Sequence, residues 1–157
     1  MAVQYGARGR GLPTPVELRR WARAALEGNV RVTERNVQVI ECDVRITVRI
    51  VGTNEGRALN RNFRGRDHDY ATNVLTFRMR DQPALEGDLA LCAPVIAREA
   101  RAQGKPLAAH YAHLVVHGVL HLQGHEHETP RAARRMERRE SCIVTALGFP
   151  DPYERQV

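Results

Sequence analysis

The chain has 157 residues, 43% of them hydrophobic, which suits about one domain whose core needs no covalent or metal staple. Its three cysteines, Cys42, Cys92 and Cys142, are an odd number with no CxxC pair, so neither a disulfide framework nor a thiolate zinc site is indicated and a reducing, cytoplasmic setting is expected. No basic start leads into an apolar run and no apolar stretch reaches ~18 residues, so neither a signal peptide nor a membrane span is expected, while a formal charge of +6 points to an anionic partner, nucleic acid first.

Residues 1–12, with Gly6, Arg8, Gly9, Arg10 and Gly11, read as a flexible basic arm ahead of one domain over 13–157. Thr14-Pro15-Val16-Glu17 forms a capping box with proline at the first helical position. It opens a helix to about Glu27, with Leu18, Trp21, Ala22 and Ala25 on its apolar face. Strands are expected over Asn36 to Ile40 and Cys42 to Val51. In the second, Val44, Ile46, Val48 and Ile50 alternate with Arg45, Thr47 and Arg49, which leaves one wet, basic face.

A short helix from Thr53 to Asn62, capped by Thr53 or Asn54, leads into an irregular segment from Phe63 to Thr72. Asn73 to Met79 and Asp88 to Cys92 read as strands, joined through Asp81-Gln82-Pro83 and Gly87. Pro94 opens a helix to Gln103, which Gly104 ends. A further helix spans Pro106 to Gln123 and is apolar nearly all round, as a buried central helix should be. The last runs from Pro130 to Leu147, with Arg131, Arg134, Arg135, Arg138 and Arg139 on one face and Met136, Ile143 and Leu147 on the other. That arginine face is either a phosphate-contacting surface or a solvated one. The sum is an α+β domain, a mixed sheet of about four strands packed with a central helix.

All of the 24 basic residues except Lys105 are arginine. The guanidinium fork matches phosphate geometry, although genome composition accounts for the ratio equally well. The central helix carries the informative pattern, His117-Gly118-Val119-Leu120-His121-Leu122-Gln123-Gly124-His125-Glu126-His127. His117 and His121 are one turn apart and share a helix face. Gly124 suits the left-handed conformation that ends a helix, so the chain can turn back and His127 can close a metal site. Three histidines leave a fourth position open, the arrangement of a catalytic zinc rather than a structural one.

The spacing HxxxHxxGxxH is that of metzincin proteases, yet Gly118 stands where those enzymes carry their glutamate base. A peptidase is therefore disfavoured. Packed core histidines are the alternative reading of the motif, and the spacing together with Gly124 favours metal. His110 and His113 continue the same face, each as a core histidine or as a hydrogen-bond partner behind the ligands. His125 and Glu126 either reach a water at the metal or are solvated loop residues.

The blocks Leu59-Asn60-Arg61-Asn62-Phe63-Arg64-Gly65-Arg66-Asp67, Thr72 to Phe77, Gly87 to Leu91, His117 to His127 and Ala146 to Tyr153 together resemble the YbeY family, in the family's order. The resemblance implies a bacterial, single-strand-specific, zinc-dependent endoribonuclease. Such an enzyme acts in 16S rRNA 3′-end maturation and ribosome quality control, with single-stranded RNA and the ribosome or its small-subunit proteins as partners. By the same resemblance His117, His121 and His127 hold one Zn²⁺ ion per chain, and Arg64 is the arginine important for activity. On the residues alone, Arg64 equally reads as a structural anchor to Asp67 or Asp88. The segment His68-Asp69-Tyr70-Ala71 makes the spacer after Asp67 slightly longer than the family's. The rival class is a non-catalytic RNA-binding ribosome-assembly factor with a structural metal.

Overall fold

The computed structural model describes residues 1–27, 31–33, 36–38, 43–80, 84–125 and 127–154. In chain order these form β1 (Ala2–Tyr5), α1 (Pro15–Leu26), β2 (Arg31–Thr33), β3 (Asn36–Gln38), β4 (Asp43–Val51), α2 (Thr53–Arg64), a 3₁₀ turn (Arg66–His68), β5 (Val74–Arg80), β6 (Ala84–Cys92), α3 (Ala93–Ala102), α4 (Leu107–Leu122) and α5 (Pro130–Ala146). The main sheet has the order β1-β4-β6-β5. β1 and β6 run parallel to β4, whereas β5 runs antiparallel to β6, so the sheet is mixed. β2 and β3 form a separate antiparallel ribbon. The expected strand from Asn36 ends at Gln38, and residues 39–42, including Cys42, lie outside the described residues.

The capping box that opens α1 is complete. The Thr14 hydroxyl accepts the Glu17 N–H at 3.2 Å, and the Glu17 carboxylate accepts the Thr14 N–H at 2.7 Å. This places Leu18, Trp21, Ala22 and Ala25 in one core with Ile46, Val48 and Ile50 of β4, Leu89 and Leu91 of β6, and the apolar side chains of α4. α4 is the hub: it packs against α1, α3, α5, β5 and β6.

The N-terminal segment corrects the expectation of a flexible arm. Ala2–Tyr5 pairs along β4, the Gly6 N–H donates to the Ile50 carbonyl at 2.7 Å, and the Tyr5 hydroxyl donates to the Pro13 carbonyl at 2.7 Å. The edge of β4 would otherwise present unpaired backbone groups, and covering such an edge outweighs the local glycine and arginine composition.

β6 begins at Ala84 rather than at Asp88, so Gly87 is mid-strand and not part of a turn. A Cβ at Gly87 would lie 2.6 Å from Leu122 Cδ2 and 2.9 Å from the Phe77 carbonyl oxygen. Glycine is there because the last turn of α4 presses onto the sheet at that point. The contact fixes the helix end that carries the histidines.

The outward face of β4 is less basic in effect than its sequence suggests. Arg45 lies 3.5 Å from Glu86, and Arg49 forms a two-pronged pair with Glu55 at 2.5 and 3.1 Å. α2 extends past Asn62 to Arg64, with Gly52 rather than Thr53 or Asn54 at its N-cap. The spacer after Asp67 is tied back onto α2: Arg57 grips Asp69 with two bonds of 2.8 Å, and the fully buried Asn60 donates to the Tyr70 carbonyl at 2.9 Å.

Candidate metal centre

α4 ends in a Schellman turn. Gly124 takes φ 93°, its N–H donates to the His121 carbonyl at 2.9 Å, and the His125 N–H donates to the Leu120 carbonyl at 3.1 Å. The reversal brings His127 over the face that carries His117 and His121. One nitrogen from each of the three rings lies within 4.8 Å of the other two. The ring centroids are 4.7 Å apart for His117 and His121, 4.8 Å for His121 and His127, and 5.9 Å for His117 and His127.

The three rings are suited to bind a cation. Burial, reinforced by the neighbouring His117 and His127, lowers the pKa of His121 to about 4, so this ring presents a lone pair at neutral pH. Behind the triad stands Glu140 of α5, 1% exposed. One carboxylate oxygen accepts from His117 Nδ1 at 2.6 Å, and the other accepts from His113 Nε2 at 2.8 Å and from the Tyr153 hydroxyl. Burial alone would raise the Glu140 pKa, but the bonds from His113, His117 and Tyr153 outweigh it and hold the value at about 2. With its Nδ1–H committed to this carboxylate, His117 has Nε2 free for a metal, the usual carboxylate–histidine–metal relay. The donor set therefore fits a divalent ion of the zinc type.

Gly118 faces away from this centre. A Cβ there would lie 2.7 Å from Leu89 Cδ2 and 3.4 Å from Thr76 Cγ2. The position that holds the protease glutamate is thus packed against the sheet and has no room for that side chain.

Arg64 is not brought into contact with the triad. It is exposed at the end of α2, and it makes no hydrogen bond or ion pair with Asp67, Asp88 or any other described residue. Its neighbour Phe63 packs on Phe77 of β5, ring centroids 4.5 Å apart. The flanking β5 residues face α4: Thr76 lies under Gly118, and Arg78 lies 3.6 Å from where a Gly124 Cβ would be. β5 is therefore the shared support of the helix end bearing Arg64 and the helix end bearing the histidines.

His110 is a core histidine: it is buried and pairs with Glu99 at 3.1 Å, and Glu99 also accepts from Asn73 at 3.0 Å. His113 is a partner behind the ligands, through Glu140. His125 lines a groove beside the turn, and Glu126 lies outside the described residues. Sequence reasoning missed Glu140 and Tyr153. The signal for Glu140 was present: it shares the buried face of α5 with Met136 and Val144, where a lone acid needs a partner.

Three histidines converging at a helix end, one backed by a buried carboxylate on an α+β scaffold, form a cluster that could hold a metal ion, as in proteins with three-histidine metal sites. The chain belongs to the YbeY family, whose model, described as Endoribonuclease YbeY, matches residues 13–148. A relative from Aromatoleum aromaticum named Endoribonuclease YbeY is 53% identical over 141 residues, covering 90% of this chain and 81% of the relative. One of the same name from Methylobacillus flagellatus is 47% identical over 156 residues, covering 99% and 94%. A solution structure from Thermotoga maritima shares the fold, with a TM-score of 0.55 over 99% of this chain and 100% of that one at 23% identity.

Proposed function

We propose that this protein is a single-strand-specific, metal-dependent endoribonuclease of the cytoplasm that acts in 16S rRNA 3′-end maturation and ribosome quality control. The observation that supports it most is the convergence of His117, His121 and His127 within 4.8 Å, in a chain whose relatives carry the endoribonuclease name. These residues would hold one Zn²⁺ ion and leave a coordination position open. A zinc ion so held supplies Lewis acidity toward a phosphate oxygen and lowers the pKa of water from ~15.7 to ~7.

The remaining chemistry belongs to the chain. Glu140 accepts the His117 Nδ1–H and so fixes that ring's tautomer and direction. Arg64, exposed and unpaired among the described residues, neutralises charge that develops on the phosphate during strand scission. The absence of a glutamate at Gly118 is tolerated because water or the RNA's own 2′-hydroxyl serves as nucleophile. Aromatic residues make up only 5% of the chain, and of these Tyr5, Phe63, Tyr70 and Tyr153 are exposed, so binding rests mainly on phosphate contacts and sequence selectivity is weak. Substrate choice then depends on ribosomal partners. His127 is exposed and the triad sits at a helix end outside the main core, which counts against a metal whose task is to hold the fold together.

The test is cleavage of end-labelled RNA by chelator-treated protein. Cutting of single strands should be lost on chelation and restored by added Zn²⁺, with duplex RNA of the same sequence spared. Cutting that resists chelation, or that treats both substrates alike, contradicts the proposal.

A further inference from the structure

Arg135 and Arg139 of α5 stand together at a groove beside the histidine-bearing turn. Arg45, Arg49 and Arg57 each have a carboxylate partner, in Glu86, Glu55 and Asp69. Arg135 and Arg139 have none among the described residues. They are one helical turn apart, a spacing at which like charges repel. Arg139 is also half-buried, and its Nε is closed off from solvent with no hydrogen-bond partner. An unpaired donor on a charged group is costly, and the cost is relieved when an anion accepts from it.

With Gly124, His125 and Ala132, these two arginines line an open groove of about 470 Å³. Gly124 and His125 lie in the turn between His121 and His127, so the groove opens beside the candidate metal ligands. Guanidinium groups stay charged at any working pH. The groove is therefore permanently cationic, and its planar forks match the oxygens of a phosphodiester.

We infer that Arg135 and Arg139 form a phosphate subsite that grips the RNA backbone next to the bond being cut. The identity of the anion as an RNA phosphodiester rests on the endoribonuclease reading, whereas the groove's demand for an anion does not.

The experiment is binding of a fluorescent single-stranded 2′-O-methyl oligoribonucleotide to the metal-loaded full chain, measured by anisotropy over a range of salt. The probe's length is checked afterwards, so that binding is read without cleavage. Each phosphate contact on a single strand contributes about 0.7 to the slope of log affinity against log salt, so the Arg135→Gln/Arg139→Gln double variant should lose about 1.4 from that slope. The Arg134→Gln/Arg138→Gln variant removes equal charge from the same helix and should leave the slope nearly unchanged. Arg135→Gln alone, an exposed change, should lose about half as much and carries the test if the double variant does not fold. The inference is overturned if both pairs lower the slope alike, if the 135/139 pair leaves it unchanged, or if the wild type does not bind the probe. If the slopes behave as predicted while wild type never cuts natural RNA, the subsite stands and the nuclease reading fails.

Discussion

Replacing Glu140 with glutamine tests whether the buried carboxylate sets the metal affinity. Glutamine keeps the outline of glutamate but offers one acceptor oxygen where three donors converge, from His117 at 2.6 Å, His113 at 2.8 Å and the Tyr153 hydroxyl. If the oxygen stays with His117, the amide nitrogen faces His113 and Tyr153, which must reverse their roles. If it turns the other way, His117 Nδ1 meets a donor, and its proton is driven to the nitrogen that the metal needs. Glu140 is ionised at neutral pH, its pKa of about 2 being held down against burial by these same bonds. A hydrogen bond to a charged group contributes about 1.5–3 kcal/mol and to a neutral one about 1, so the substitution should weaken the hold on His117 by ~1–2 kcal/mol. That corresponds to a fall of roughly 5- to 30-fold in metal affinity, in line with the ~10- to 100-fold usual for partners of metal-bound histidines. The assay is competition for Zn²⁺ against a chromophoric chelator at pH 7, on protein shown by its melting curve to be folded. A folded Glu140→Gln variant that binds zinc within about twofold of wild type would refute the reasoning.

Arg64→Ala should lower the cleavage rate by ~10²- to 10³-fold and leave the melting temperature unchanged, because the exposed guanidinium has no described partner to lose; a lowered melting temperature would instead mark it as a loop anchor. Gly118→Glu installs the metzincin glutamate where even a Cβ would lie 2.7 Å from Leu89 Cδ2. It should destabilise by ~1–3 kcal/mol from overpacking, and further from the buried charge, without creating peptidase activity; urea denaturation and digestion of a casein substrate check both halves. Gly87→Ala should cost ~1–3 kcal/mol in the same denaturation experiment, since its Cβ would meet the Phe77 carbonyl oxygen at 2.9 Å and backbone cannot move aside as a side chain does. An unchanged midpoint would mean that the close approach of α4 to the sheet is looser than described.

What could be read from the residues follows the range of the interactions involved. The α1 capping box, the alternation along β4 and the Gly124 turn are local, and each appears in the structure where the sequence puts it. The three histidines share this legibility, because one helix and one turn suffice to assemble them. The misreadings involve partners distant in sequence. Ala2–Tyr5 is a strand only because the edge of β4 accepts it, and Gly87 is a glycine because of Leu122 rather than because of a turn. Glu140 was hidden for the same reason: its partners His113 and His117 lie on another helix, and its own helix reads as arginine-rich surface. The pairing of Arg45 and Arg49 with acids on β6 and α2, which removes most of the basic character of β4, is likewise invisible without the register of the sheet.

The most direct measurement is cleavage of an end-labelled single-stranded RNA by purified wild type, His117→Ala and Arg64→Ala, with circular dichroism confirming that all three are folded. Wild type should cut and both folded variants should fail, which also excludes a contaminating nuclease. Equal cutting by all three, or none by wild type loaded with zinc, would contradict this expectation and leave an RNA-binding assembly factor with a structural metal as the better description.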